Sequence, residues 1–533
     1  MRTATKIVMM SSSPALKFTT VGYSATWTPP TITAATLTDV QVKWIRPDGT
    51  SFTGKTPAMT NFSQLGNYQL RIKKWSRVTA FSFAPGGASR NWLSHINLDV
   101  MFPKMTGLLS CALRDMPSLV DIVTTWKLPS SMTSIAAFLQ GCTGLTGVVT
   151  GWVLPTGVTN ISYFLYGCTG LTGVVTGWIL PTGVTNISYF LYGCTGLTGV
   201  VTGWVLPTGA TSIAAFLQGC TGLTGVVTGW ILPTGATSIS GFLYGCTGLT
   251  GVVTGWILPT GATSISAFLY GCTGLTGVVT GWILPTGATS IEAFLQGCTG
   301  LTGVVTGWVL PTGATSIQSF LYGCTGLTGV VTGWVLPTGA TSIAAFLQGC
   351  TGLTGVVTGW VLPTGATNIS GFLYGCTGLT GVVTGWILPT GVTNISYFLY
   401  GCTGLTGVFP TPAALSVCTS YQDIIKNNLL ITGDVSTWTW RTNIINAAMS
   451  NTRLTYGTGQ SLRTNVKNVL VFSMATCNLT QSMVDAVLVD LDTSAATGLV
   501  ITLNGTGNAV PSAAGLAAKA NILAKGGTVT VNT

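Results

Sequence analysis

Apolar and polar positions in this chain recur every 26 residues. One unit, residues 141–166, reads GCTGLTGVVTGWVLPTGVTNISYFLY. Cysteine marks the period from Cys142, Cys168, Cys194 and Cys220 on to Cys402; Trp152 and Trp178 (to Trp386) and Phe164 and Phe190 (to Phe398) keep step. A period of this length means a solenoid, in which each unit buries its apolar side against its neighbours. Within the unit, Leu-Thr-Gly-Val-Val-Thr is short and rich in β-branched residues and predicts a strand. Residues 154–157, Leu-Pro-Thr-Gly, predict a turn in which proline fixes φ and glycine supplies left-handed geometry. Residues 159–165 place Ile161, Phe164 and Leu165 at i, i+3 and i+4, which predicts one or two helical turns closed by Gly167. The expected fold class is a repeat solenoid of strand–turn–short-helix units, with a parallel sheet on one side and short helices on the other. Its inward ladder is Cys142, Leu145, Trp152, Leu154, Ile161, Phe164 and their equivalents. Either Val148 or Val149 joins it, since adjacent strand residues face opposite ways.

The pattern changes at both ends. Residues 1–14 form an N-terminal arm, with too short an apolar core (Ile7–Met10) for a secretory signal, so export by that route is not expected. Residues 15–90 alternate in strand fashion around the turn signal Pro47-Asp48-Gly49-Thr50 and predict a β domain. Residues 91–134 are capping repeats: Leu119, Trp126 and Pro129 keep the register, Met116 replaces the cysteine, and charges reappear. The regular repeats cover 135–409 and degenerate repeats 410–479. Residues 480–533 predict an α/β cap: a helix begun by Thr480, a second helix over 513–524 with Ser512 at its N-cap, and a last strand at 528–531.

Charge narrows the functional classes. Residues 1–134 carry fourteen Lys/Arg and five Asp, residues 135–409 a single charge, Glu292, and residues 410–533 seven Lys/Arg and five Asp. One histidine, His95, and no paired carboxylates in the repeats leave little for acid–base chemistry, and no CxxC or Cys/His cluster suits a metal. No enzyme activity, cofactor or metal is therefore expected, and without a broad basic face with interleaved aromatics no nucleic acid is expected either. Gly, Thr and Pro interrupt every apolar run, so no spanning helix is expected. The cysteines are expected to form a buried thiol ladder rather than disulfides, because equivalent side chains on parallel rungs point the same way. The basic excess concentrates at Arg71, Lys73, Lys74 and Arg77, a candidate docking patch. Between copies, the position two after the ladder Phe is Tyr in seven and Gln in four. Tyr166, Tyr192, Tyr244, Tyr270, Tyr322, Tyr374 and Tyr400 thus form a broken stripe on the side assigned to helix, a candidate contact face.

The repeat pattern C-x-x-L-x-x-V followed by L-P-T-G-V-T-N-I-S-x-F-L-Y-G-C, over residues 109–409, resembles the BspA-like leucine-rich repeats. That resemblance implies a leucine-rich-repeat fold and, for function, surface binding or adhesion; the TGVVTGW segment departs from it in its Gly and Thr content. W-x-x-P-D-G-T at 44–50 with G-N-Y-Q-L at 66–70 resembles a PKD or immunoglobulin-like β-sandwich. The layout and the ending over residues 511–532 are similar to tail-fibre-like and other accessory virion proteins of bacterial viruses. This implies a bacteriophage virion-surface protein made in the host cytoplasm. Its N-terminal domain would meet the assembly, its solenoid a host glycan or protein, and it would be a candidate homo-oligomer. The alternatives are a bacterial cell-surface adhesin, a self-assembling structural filament, and an ice-binding protein using Thr146, Thr150 and their equivalents.

Overall fold

A computed structural model of the 533-residue chain was analysed. Before residue 110 it describes the backbone of seven strands and the turn near residue 48; beyond that it describes 110–122, 128–149, 152–410, 418, 421–438, 446–457, 462, 463, 466 and 470–533. The chain divides into two compact units, Met1–Val226 and Val227–Thr533. Each carries a parallel β-solenoid of 26-residue coils, the repeat-solenoid class that the periodicity predicts.

In the first unit the coil strands are Gly147–Val148, Leu171–Val174, Leu197–Val200 and Leu223–Val226, each paired in parallel with the next. Within each strand Leu171 and its equivalents face in and Val174 faces out. The strand then ends on a fully buried valine, Val175 or Val149, which settles which of the paired valines joins the core. Cys168, Ile187, Phe190 and Leu191 have no solvent exposure, and Trp178 and Leu180 almost none. Phe rings stack along the coils, Phe164 on Phe190 at 5.5 Å, with Trp178 edge-on to Phe190 at 6.2 Å. Val158 and Leu165, absent from the expected ladder, are also fully buried.

The segment expected to be helical is a run of turns. Ile161, Tyr163, Leu165 and Gly167 donate their N–H groups to Asn186, Ser188, Phe190 and Tyr192 of the next coil, at 2.7–3.0 Å. A helix would satisfy those donors four residues back; a neighbouring coil at strand spacing offers carbonyls instead. The arrangement requires a left-handed residue just before the ladder Phe. Every copy has one: φ is 56° at Tyr163, 51° at Ala267, 54° at Ser319 and 60° at Gly241. The i, i+3, i+4 spacing of Ile161, Phe164 and Leu165 still points these side chains inward, so a turn run and a helix share one apolar pattern. A second correction concerns residues 154–157: Gly157 is not left-handed, whereas the glycine before each later tryptophan is, as at Gly177 (φ 84°).

The left-handed alanines suggest a direct test. Ala267→Gly removes the Cβ penalty of positive φ at the cost of a more flexible unfolded chain, and should raise stability by about 0.5–1 kcal/mol in denaturant titrations. A loss of that size would mean that residue 267 is not left-handed in solution.

The N-terminal strands lie in two sheets. One runs in the order Ser51–Thr53, Val42–Ile45, Gly66–Ile72, Leu16–Thr20, Leu93–Asn97, Asp121–Ile122; the other is Thr31–Ala34, Val78–Phe83, Ser110–Leu113. Pairing is antiparallel until the last strand of each, which is parallel. Arg46 N–H to Thr50 O (2.8 Å) and Thr50 N–H to Asp48 Oδ1 (2.8 Å) close the Pro-Asp-Gly-Thr turn. Ser110 bridges Ser134, which bridges Asn160, and Thr146 donates to Val120 O at 2.9 Å. The two sheets therefore extend the coil stack on both of its hydrogen-bonded sides. Within the capping region 91–134, Ser110–Leu113 and Asp121–Ile122 pair with Val78–Phe83 and Leu93–Asn97.

The second unit is built of coils of the same kind, with strands from Leu249–Val252 to Leu405–Val408 and Ile431–Asp434. Asn428 takes the cysteine position and donates to Leu399 O and Ile425 O at 2.6 and 2.8 Å. Helix α1 (Gln481–Thr493) is capped by Thr480, and its Val484, Val487, Leu488 and Leu491 are buried. Helix α2 (Ala513–Ala524) is capped by Ser512. Strands Asn446–Ala448, Val471–Ser473, Val500–Thr502 and Thr528–Thr530 form a parallel sheet beside them. Buried Asp490 accepts from Tyr456 Oη at 2.6 Å and pairs with Arg463 at 3.1 Å, tying α1 to the preceding coil.

Candidate contact faces

The turn run sets where the tyrosines stand. Its inward positions are Ile161, Phe164, Leu165 and Cys168, and Ser162 is buried beside them; Tyr163 and Tyr166 lie half-buried on the turn side, not on a helix. Equivalent positions recur one coil apart, which stacks the rings. Tyr166 lies on Tyr192 at 4.5 Å and Tyr163 on Tyr189 at 4.7 Å, making a four-ring cluster. In the second unit Tyr244 lies on Tyr270 at 4.3 Å, and Tyr374 on Tyr400 at 4.6 Å with Tyr397 against both. Lys426 Nζ stands 5.9 Å over the Tyr400 ring and 3.3 Å from Asp423. Tyr322, between the glutamine copies Gln296 and Gln348, is 36% exposed. Partial burial, and then the neighbouring phenols, push the Tyr163 and Tyr166 hydroxyls above their usual range. Tyr163, Tyr189 and Tyr397, which join the clusters, are absent from the stripe read in sequence. Their spacing of three from Tyr166, Tyr192 and Tyr400 was the available signal.

Beyond the turn that follows each strand, the coils carry an outward row that the sequence reading missed. The residue after each ladder tryptophan, Val or Ile, is 62–81% exposed from Val153 and Ile179 to Ile387. Trp178 and Leu180 point in, so Ile179 between them must point out. Free exchange of Val and Ile between copies at this position, flanked by invariant Trp and Leu, was the sequence signal. The strands carry an outward row of their own, Val174 and its equivalents, about 40% exposed. The outward threonines hold coils together: Thr198 Oγ1 donates to Gly173 O at 3.3 Å, and Thr176 Oγ1 accepts from Val200 N–H at 3.0 Å. An open apolar depression of about 150 Å³ is lined by Trp152, Val153, Leu154, Thr156, Gly177, Ile179 and Pro181.

No known protein family, curated protein or solved structure matches this chain.

The cysteine ladder is wholly internal. Cys142, Cys168, Cys194 and Cys220 are buried free thiols, as are their equivalents to Cys402. Each reaches a carbonyl of the preceding coil, for example Cys168 Sγ to Leu139 O at 3.0 Å and Cys298 Sγ to Leu269 O at 2.9 Å. Burial pushes these thiols up, to about 12 at Cys220 and Cys350. The indole Nε1 atoms of Trp178, Trp204, Trp256 and Trp282 are buried without a hydrogen-bond acceptor; each ring meets phenylalanine edge-on instead. Asn160 and Asn186, within Asn-Ile-Ser tripeptides, accept from the N–H and hydroxyl of Ser162 and Ser188, which is turn chemistry.

Arg71 lies in the strand Gly66–Ile72, its backbone opposite Lys43. Lys73, Lys74 and Arg77, the rest of the candidate docking patch, lie outside the described residues, as does the whole N-terminal arm. His95 lies in the strand Leu93–Asn97. Among the described residues no group of His, Cys, Asp or Glu could hold a metal ion, and no helix is long and apolar enough to cross a membrane.

Proposed function

We propose that this chain is a non-enzymatic, virion-associated surface protein of a bacterial virus, similar in layout to tail-fibre-like proteins. In this reading its leucine-rich-like solenoid presents tyrosine clusters to a host glycan or protein. The observation that carries the proposal is the stacked tyrosine row on the turn side, at Tyr163–Tyr166–Tyr189–Tyr192 and again at Tyr374–Tyr397–Tyr400. Stacking covers much of each ring face with the next ring, so the clusters offer phenol edges and hydroxyls at a regular spacing. Rigid rings add contact area at small entropic cost, which suits recognition. A solenoid with one charged side chain between residues 135 and 409 offers little to acid–base catalysis.

Attachment is assigned to the basic N-terminal region, whose net charge is +9 (fourteen Lys/Arg less five Asp) against −1 over residues 135–409. An acidic assembly surface would attract the first and ignore the second. Neutralising Arg71, Lys73, Lys74 and Arg77 should release the protein from purified particles, most visibly at moderate salt. Mass spectrometry of particles carrying the unaltered chain should find it in them. Recovery only from soluble cytosol would overturn the proposal; release on removing residues 480–533 instead would reverse the orientation. Replacing Tyr166 and Tyr192 by serine should weaken adsorption to host cells without loss of the chain from particles. Ice binding gains no support from the threonine rows, because their hydroxyls already join neighbouring coils.

A further inference from the structure

We infer that the exposed Ile/Val face of residues 227–408, on the segment beyond the turn that follows each strand, is a self-association surface, and that its occupant is the same face of a second copy of this chain. Its centre is the row Ile231, Ile257, Ile283 and their equivalents to Ile387, each 62–77% exposed. These are the largest exposed apolar side chains of the coils and they form one file, one residue per coil.

Three observations select a second copy. The first is area. Seven Val/Ile residues at this exposure present roughly 700–800 Å² of mainly apolar surface. That exceeds the patch a typical monomer leaves open (about 300–600 Å²) and reaches what one partner contributes to a standard interface (about 800 Å²). The second is charge. The only charged side chain between residues 135 and 409 is Glu292, which lies on the turn side, two residues before ladder Phe294. Nothing on the Ile/Val face repels an identical face, and nothing on it selects a charged partner. The third is period. A file with one β-branched side chain per coil fits best against a surface with the same coil spacing, and an identical solenoid has it. Opposed files can then interdigitate, each side chain entering the gap between two others, as in packed sheets. The inference does not depend on where the protein resides or on what its tyrosines bind.

The test uses the purified full chain, with no particle or ligand, so its failure leaves the virion proposal untouched. Sedimentation velocity over about 1–100 µM should give the mass of two chains, with dissociation only toward the dilute end. The triple variant Ile257→Lys, Ile283→Lys, Val309→Lys puts three charges into the file at positions too exposed to disturb the core. It should weaken the dimer by about 100-fold or more while leaving far-UV circular dichroism and the melting temperature unchanged. A control placed in the turn run, Tyr270→Lys, should leave the dimer intact. A chain that is monomeric throughout the range overturns the inference. So does an oligomer that survives the three lysines, or one that Tyr270→Lys dissociates instead.

Discussion

Gly300→Ala should destabilise the protein by about 3 kcal/mol or more, whereas Gly287→Ala, thirteen residues earlier in the same repeat pattern, should leave it unchanged or slightly more stable. Both glycines recur in every regular coil, so the copies cannot distinguish them. Their surroundings do. A Cβ on Gly300 would sit 2.5 Å from Leu275 O, with Thr273 O at 3.3 Å, all backbone of the preceding coil. The same approach recurs at Gly274, Gly326 and Gly352. Neither coil can retreat without breaking the parallel pairing of Leu275–Val278 with Leu301–Val304. A Cβ on Gly287 would meet nothing within 4 Å, at a φ open to any residue. Guanidinium titrations of the two variants measure the contrast directly. Equal effects would show that the coils do not approach at the Thr-Gly-Leu step.

Raising the pH should unfold the solenoid, because its cysteines are held as thiols. Burial pushes Cys220 and Cys350 from 9.0 to about 12, and the other ladder thiols rise for the same reason. Below about pH 9 folded and unfolded chains are equally protonated at these sites, and the contribution to stability is complete. Between about 9 and 12 the unfolded chain gives up protons that the folded chain keeps, so stability falls as pH rises and is lost through the folded value. Each fully titrated thiol accounts for on the order of a few kcal/mol, and the ladder repeats it coil after coil. Alkaline unfolding should therefore be steep. The native protein at about pH 8 should resist a water-soluble disulfide reagent that labels every cysteine in denaturant. Rapid labelling of native protein would place the thiols at the surface. Replacing Cys298 by Asn, the residue that holds this position at Asn428 through two hydrogen bonds, should be tolerated better than replacement by Val, which removes one of the two hydrogen bonds to Leu269 O.

Much of the fold was legible because the repeat is nearly perfect. A period of 26 residues with invariant Cys, Trp and Phe has few physical solutions besides a stack, and in a stack equivalent side chains must form ladders. The capped helices α1 and α2 were legible for a different reason: Thr480 and Ser512 are local signals that need no tertiary partner. Misjudged elements were those whose hydrogen bonds leave the segment. Residues 159–165 have the apolar spacing of a helix, yet their N–H groups bond the next coil, and no pattern within one unit encodes that. The left-handed residue that makes it possible is Ala, Tyr or Ser in nine of eleven copies, so it carries no glycine signature.

Of the candidate faces, the tyrosine stripe could be read from variation between copies, but its stacked clusters could not. Tyr163 and Tyr166 meet Tyr189 and Tyr192 only because a coil returns each position beside its equivalent. The exposed Ile/Val file was missed because a β-branched residue between Trp and Leu looks like core until the in–out alternation of that segment is known. The sequence alone therefore settles the period, the inward ladders and the neutrality of the solenoid, since these depend on composition and spacing along one chain. Which valine turns inward, which glycines are indispensable and which surfaces lie open are decided by the stacking of coils, because each is a relation between residues about 26 apart that exists only when one coil rests on the next.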